Sequence, residues 1–165
     1  MRAFAPQPID DAHEVSQFCC GGEESLDRYL QNEAKSAHQR GAARTHVWLD
    51  EQKVSAYYTV VPQTITPRLL PRTVKTGFNA GIPGFTIVKL ALDQGLRGRS
   101  LGNDLLIDAL STIVGAADLV GGRVIMVEAA DNPAFAFYER AGFKGIDASY
   151  EMWMLVDTAR AALRG

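Results

Sequence analysis

The chain has 165 residues, 47% of them apolar and 22% charged, with a formal net charge of −2. That length predicts a single domain over residues 1–165, and no apolar run approaches the roughly 18 residues that a membrane span needs. Met1–Ile9 lacks the apolar core of a signal peptide, and the only cysteines, Cys19 and Cys20, are adjacent, so the expectation is a cytoplasmic protein with neither disulfide framework nor metal site.

The charge is unevenly spread. Residues 1–27 carry Arg2 against six acidic groups, residues 28–99 carry eleven Lys and Arg against Glu33, Asp50, Glu51 and Asp93, and residues 100–165 are acidic again. A basic middle third can meet a polyanion, although a folded surface on which the segments intermingle is equally compatible with the count.

Leu26, Tyr29, Leu30, Ala34 and Ala37 recur at helical spacing and predict an amphipathic helix over Glu24–Ala37. Arg44–Asp50 and Val54–Val61 are rich in β-branched and aromatic residues and predict a hairpin. From Pro62 to Gly84 the chain holds Pro62, Pro67, Pro71, Pro83, Gly77 and Gly81, which predicts a loop. Phe85–Leu92 reads as a central strand. The segment Asp93–Gly102 reads as a basic turn, and the apolar stripe Leu101, Leu105, Leu106, Ala109, Leu110, Ile113 and Val114 as a helix. Arg123–Glu128 predicts a buried strand. Asn132 as N-cap with Pro133 opens a further helix that ends at Gly142, and Tyr150–Val156 predicts the last strand. The order predicts an α/β fold built on a mixed sheet, with a strand–turn–helix unit in its second half.

That unit is where the chemistry concentrates. Amides of a turn and of a first helical turn have no intrahelical partner, and the helix dipole adds positive potential there. Arg97 and Arg99 add two guanidiniums suited to phosphate, while Gly98 and Gly102 let the backbone approach a ligand closely. No Gly-Lys-Ser/Thr comes after it, and the glycine spacing is not that of a dinucleotide fingerprint.

With Tyr138…Gly142-Phe143 downstream, the sequence resembles the GNAT-type N-acetyltransferases, whose coenzyme motif runs Gln/Arg-x-x-Gly-x-Gly/Ala. Arg97 opens that motif and Gly102 closes it; Ser100 replaces its first glycine, which implies weakened rather than abolished coenzyme binding. Phe18-Cys19-Cys20-Gly21, Leu26–Leu30, Arg44–Val47, Pro67–Arg72 and Lys89–Asp93 resemble the toxin branch of that superfamily. This branch comprises acetyltransferase toxins of bacterial type II toxin–antitoxin modules, which acetylate aminoacyl-tRNA and are neutralised by ribbon-helix-helix antitoxins. The resemblance runs collinearly from about Phe18 to Phe143 and implies a GNAT fold, a central twisted mixed sheet flanked by helices, with acetyl-CoA as co-substrate and a homodimer.

It also implies roles. The coenzyme is expected at Leu90, Ala91, Leu92, Arg97, Gly98, Arg99, Ser100, Leu101, Gly102, Asn132 and Phe137, with an amide of Leu90–Leu92 facing the thioester carbonyl. The edge of the Phe85–Leu92 strand can pair with the pantetheine arm like another strand. Tyr138 is expected to donate the proton to the leaving thiolate. An α-amine titrates near 7.7–8.0, so no dedicated base is required; Glu128 is the side-chain alternative, and His46 reads as a sheet histidine. Arg72 and Lys75 are the expected contacts to tRNA phosphate. The other readings are acetylation of a protein N-terminus or small amine, and a non-catalytic coenzyme-binding or interaction module, which Ser100 would favour.

Overall fold

The computed structural model describes residues 4–165; Arg2, the one basic group of the acidic N-terminal stretch, lies outside them. The elements run β1 (Gln7–Pro8), α1 (Glu24–Asn32), α2 (Ala34–Gln39), β2 (Arg44–Asp50), β3 (Lys53–Ile65), α3 (Arg72–Lys75), β4 (Ile82–Leu92), α4 (Leu101–Val120), β5 (Val124–Glu128), α5 (Asn132–Ala141), β6 (Lys144–Gly145), β7 (Glu151–Leu155) and α6 (Val156–Arg164). The strands form one mixed sheet of seven in the order β1-β2-β3-β4-β5-β7-β6, flanked by helices. By backbone proximity the chain divides into two compact units. One comprises the described residues through Val61 with Val88–Ala109, the other Pro62–Ile87 with Leu110–Gly165.

In the first unit β2 and β3 pair antiparallel from Arg44↔Val60 to Asp50↔Lys53, with a bulge at Trp48/Leu49. Alternation puts Val47 and Tyr57 on the face covered by α1 and α2, where Leu30, Ala34, Val54 and Ala91 complete a buried cluster. Trp48 points the other way, and its Nε1 donates to the buried Asp108 carboxylate of α4 at 2.7 Å. A buried carboxylate without donors would be costly, so this bond fixes the helix register against the strand.

In the second unit β4 and β5 pair parallel from Gly84↔Val124 to Ile87↔Val127, and β5 continues antiparallel with β7. Ile65, Leu70, Val74, Ile82, Val124, Met126, Ile146 and Trp153 form its core. Glycine at 84 is a packing requirement, since a Cβ there would stand 2.3 Å from the Val124 carbonyl oxygen and 2.7 Å from Ile65 Cδ1.

The structure corrects several local expectations. The helix over Glu24–Ala37 is two helices, because Glu33 leaves helical geometry at φ −128° and the chain turns while keeping both Leu30 and Ala34 buried. The loop over Pro62–Gly84 is partly ordered. β3 runs through Pro62 to Ile65, which is tolerated because the β2 ladder ends at Val60 and no bond to β2 is lost at the proline. Arg72–Lys75 then forms a short helix, and Thr76 Oγ1 donates to the Arg72 carbonyl. Asn132 is not the cap of α5: Asp131 is extended, and its Oδ1 accepts from the Ala134 amide at 2.9 Å, while Asn132 is already helical. The last strand stops at Leu155, and Val156–Arg164 continues as a helix that the residue pattern does not announce. Among the described residues no helix is long and apolar enough to cross a membrane.

Replacing Gly84 by Ala should lower the unfolding free energy by about 1–3 kcal/mol through overpacking against β5, read as a lower urea midpoint at unchanged slope.

Candidate active site

The basic turn is built between the end of β4 and the start of α4. Asp93 organises it. Its Oδ2 accepts from the Gly95 amide and its Oδ1 from the Cys19 amide, both at 3.0 Å, while the Gln94 amide donates to the Cys19 carbonyl at 2.8 Å. The Arg97 Nε donates to the Cys20 carbonyl at 2.9 Å. Cys20 is tied in turn by its amide to Asp27 Oδ1 at 2.8 Å, and burial pushes its thiol up. The Cys19-Cys20 segment therefore works through its backbone, as a strap across the turn. The sequence assigns neither the strap nor Asp93 a role in the site, although Asp93 opens the expected turn. The signal that marks them is Asp93, a residue able to cap, standing directly after the strand and before a glycine two positions on.

Arg97, Gly98, Arg99 and Ser100 are exposed, and Leu101 and Gly102 are half-buried in the first turn of α4. Gly98 has φ +77° and Ser100 φ +57°. Left-handed residues ahead of a helix turn successive amides into one concavity, which takes an anion. Ser100 thus holds the conformation that glycine at this place would adopt freely, and the backbone shape of the turn survives the substitution. Two exposed arginines beside it suit phosphate. The turn fits a pyrophosphate.

Within the same unit Leu90 and Leu92 are half-buried, and Ala91 packs into the α1–α2 core, so Ala91 can serve a ligand only through its backbone. The ladder with β5 stops at Ile87, whereas β4 itself continues to Leu92, and Val88 is exposed. Those last residues present strand backbone on that side, the geometry that accepts an extended amide-bearing arm.

In the second unit Tyr138 lies on α5, 9% exposed, with its ring edge-on to Phe137 at 5.2 Å and Phe143 at 5.6 Å. Gly142 takes φ +111° to end the helix, and the Phe143 amide donates back to the Tyr138 carbonyl at 3.1 Å. The Gly-Phe pair therefore sets the helix end and the wall against which Tyr138 rests. Burial pushes the Tyr138 phenol up to about 12, so it keeps its proton throughout the physiological range. Phe137 is half-buried beside it. Asn132 is exposed at the head of α5, and its Oδ1 accepts from the Tyr150 hydroxyl at 2.8 Å.

Arg72 and Lys75 share one face of α3, at i and i+3, with Arg72 exposed and Lys75 half-buried. Glu128 is exposed at the end of β5, opposite Glu151. His46 stacks on Tyr58 at 5.2 Å with its Nδ1 unbonded, and burial lowers its pKa. His38 accepts from the Thr45 amide, and His13 from the Asp10 amide, each at 3.1 Å. All three histidines lie on the sheet, a helix end or a loop. No cluster of three or more His, Cys, Asp or Glu able to hold a metal occurs among the described residues.

The fold and the turn define an acyl-CoA N-acetyltransferase of the GNAT type. No family model matches the chain. A tRNA-acetylating toxin of Mycobacterium tuberculosis is 35% identical over 140 residues, which span 85% of this chain and 84% of that protein. A KacT structure carrying a Tyr-to-Phe substitution superposes with TM-score 0.89 at 25% identity, covering 98% of this chain and 99% of the other. AtaT complexed with acetyl-methionyl-tRNAfMet superposes with TM-score 0.86 at 23% identity, over 96% and 98%. A Tyr-to-Phe AtaT bound to the C-terminus of the antitoxin AtaR and to acetyl-CoA does so with TM-score 0.82 at 21%, over 99% and 100%. The chain belongs to the family of tRNA-acetylating toxins, and it is an acetyltransferase.

Ser100→Gly should relieve the left-handed backbone and stabilise the fold by up to about 1 kcal/mol. The same variant should bind acetyl-CoA several-fold more tightly in calorimetry, since glycine lets a phosphate come closer to the backbone of the turn.

Proposed function

We propose that this chain transfers the acetyl group of acetyl-CoA to the α-amine of an aminoacyl-tRNA and so arrests translation, as the toxin of a type II toxin–antitoxin pair. The observation that carries the reading is the likeness to the tRNA-acetylating toxin along 85% of the chain. The fit of the turn to a pyrophosphate supports it independently, and so does AtaT, which has this fold and is seen with acetyl-CoA and with acetyl-methionyl-tRNAfMet.

In this reading residues 1–165 are a single N-acetyltransferase domain. The amides of Gly98–Gly102, with Arg97 and Arg99, hold the coenzyme phosphates, and the β4 edge at Leu90–Leu92 holds the pantetheine arm. One of those strand amides donates to the thioester oxygen and stabilises the charge that grows there as the amine attacks. Asn132 and Phe137 complete the coenzyme contacts. The neutral amine nitrogen bonds to the carbonyl carbon, the carbon–sulfur bond breaks, and its electron pair leaves on sulfur. Tyr138 protonates that sulfur from its hydroxyl, and the amine proton passes to water. Arg72 and Lys75 contact the tRNA backbone by charge, without reading sequence. The protein is cytoplasmic, acts as a homodimer, and is neutralised by a ribbon-helix-helix antitoxin; the binding of AtaT to the C-terminus of its antitoxin supports the pairing with an antitoxin.

Acetylated aminoacyl-tRNA should appear by mass analysis when purified protein, acetyl-CoA and charged tRNA are combined, and its absence would refute the reading. Tyr138→Phe should keep acetyl-CoA affinity while turnover falls about 100-fold or more, the scale of a lost general acid. With its phenol held near 12, Tyr138 stays protonated as pH rises past 10, so wild-type turnover should show no alkaline loss below about pH 11. Replacing Arg72 and Lys75 together by Ala should weaken charged-tRNA binding and flatten its dependence on salt by about two counterions.

A further inference from the structure

The strand that carries the Leu90–Leu92 edge also carries an unneutralised cation. Lys89 is half-buried on β4, and its Nζ sits over the Tyr29 ring of α1, 5.3 Å from the centroid. Strand alternation places Lys89 on the same face as Ala91, which packs with Tyr57. The ion pairs found among the described residues engage His13, Arg28 and Arg160, and Lys89 has no carboxylate partner there.

The groups around it leave its charge standing. Tyr29 stacks on Tyr57 with ring centroids 6.4 Å apart, and burial pushes both phenols up, so neither ionises near neutral pH. Glu33 acts on Tyr29 from the exposed break between α1 and α2, and Asp27 and Cys20 act on Tyr57. An aromatic face holds an ammonium without neutralising it. Tyr29 therefore restrains Lys89 and keeps its field.

We infer that Lys89, restrained by Tyr29, is a positioning cation that disfavours the protonated form of the acceptor α-amine and so delivers it as a neutral nucleophile. The inference rests on the acetyl transfer proposed above. In that reaction the amine must come within about 3–3.5 Å of a carbonyl held at Leu90–Leu92, beside the residue that bears this charge. A like charge close by drives an ammonium to release its proton. The proton goes to water, the freed pair on nitrogen attacks the carbonyl carbon, and no side chain has to act as base.

The test is the pH profile of kcat at saturating charged tRNA between pH 5.5 and 9. Lys89→Met keeps length and removes charge, and Lys89→Arg keeps charge. Lys89→Met should move the rising limb upward by about half a unit or more, a roughly threefold loss on that limb, with a plateau near the wild-type rate. Lys89→Arg should retain the wild-type profile. Unchanged acetyl-CoA binding by calorimetry certifies that each variant is folded, with Lys89→Gln as the second neutral variant. An unmoved limb in the folded neutral variants would overturn the inference. A loss equal at every pH, with a flatter salt dependence, would overturn it too and assign Lys89 to tRNA phosphate. If the wild-type protein acetylates no charged tRNA, the acetyl-transfer reading itself fails, an outcome distinct from either of these.

Discussion

Strand β4 gives up its parallel partner before it ends, and the proposed seat of the pantetheine arm rests on that mismatch of lengths. From Gly84 to Ile87 its backbone is satisfied by β5; from Val88 to Leu92 the ladder with β5 is absent although the strand persists. Backbone N–H and C=O groups are obligatory bonding partners, and an unpaired stretch of regular strand is ready to accept one. The glycine at 84 belongs to the same design. It lets β4 approach β5 closely where the two are joined, so that the ladder is firm up to the point where it stops.

The turn beyond β4 is held by long-range bonds rather than by local propensity. Of the two left-handed residues, Gly98 takes its geometry freely, whereas Ser100 carries a Cβ and holds it at a cost. They persist because Asp93, Gln94 and Arg97 are tied to the backbone of Cys19 and Cys20. Strain of this kind survives where surrounding bonds over-determine the conformation. At Tyr138, the proposed proton donor, the logic is reversed. Tyr138 makes no demand on its backbone and is controlled by burial, with Phe137 and Phe143 walling its ring and keeping its proton on.

Much of this was legible in the chain itself. The hairpin, the central strand, the long apolar helix and the Gly142 terminus each carry a local signal, a period or a left-handed glycine, and each is found where the signal places it. The basic turn was legible because its glycines and arginines are contiguous. The strap at Cys19-Cys20 was not, because it acts through backbone atoms that any residue owns. The break at Glu33 was also hidden, since both halves of the segment keep the apolar spacing of one continuous helix. At Asn132 two adjacent residues can both cap, and only the backbone angles of Asp131 decide between them. Pro62 misled by type: a proline inside a strand is harmless once the neighbouring ladder has ended.

The strap also orders events in time. Its bonds join residues 74 and 77 positions apart, from Cys19 to Asp93 and from Cys20 to Arg97. Closing so long a loop costs chain entropy that no local contact returns. The proposed anion grip therefore cannot form on a ribosome-bound fragment that ends before Arg97, however well α1, α2 and the β2–β3 hairpin have already folded. A partly made chain carries the aromatic core of its first unit without the means to hold a coenzyme, and competence arrives only when the turn has emerged and found the strap.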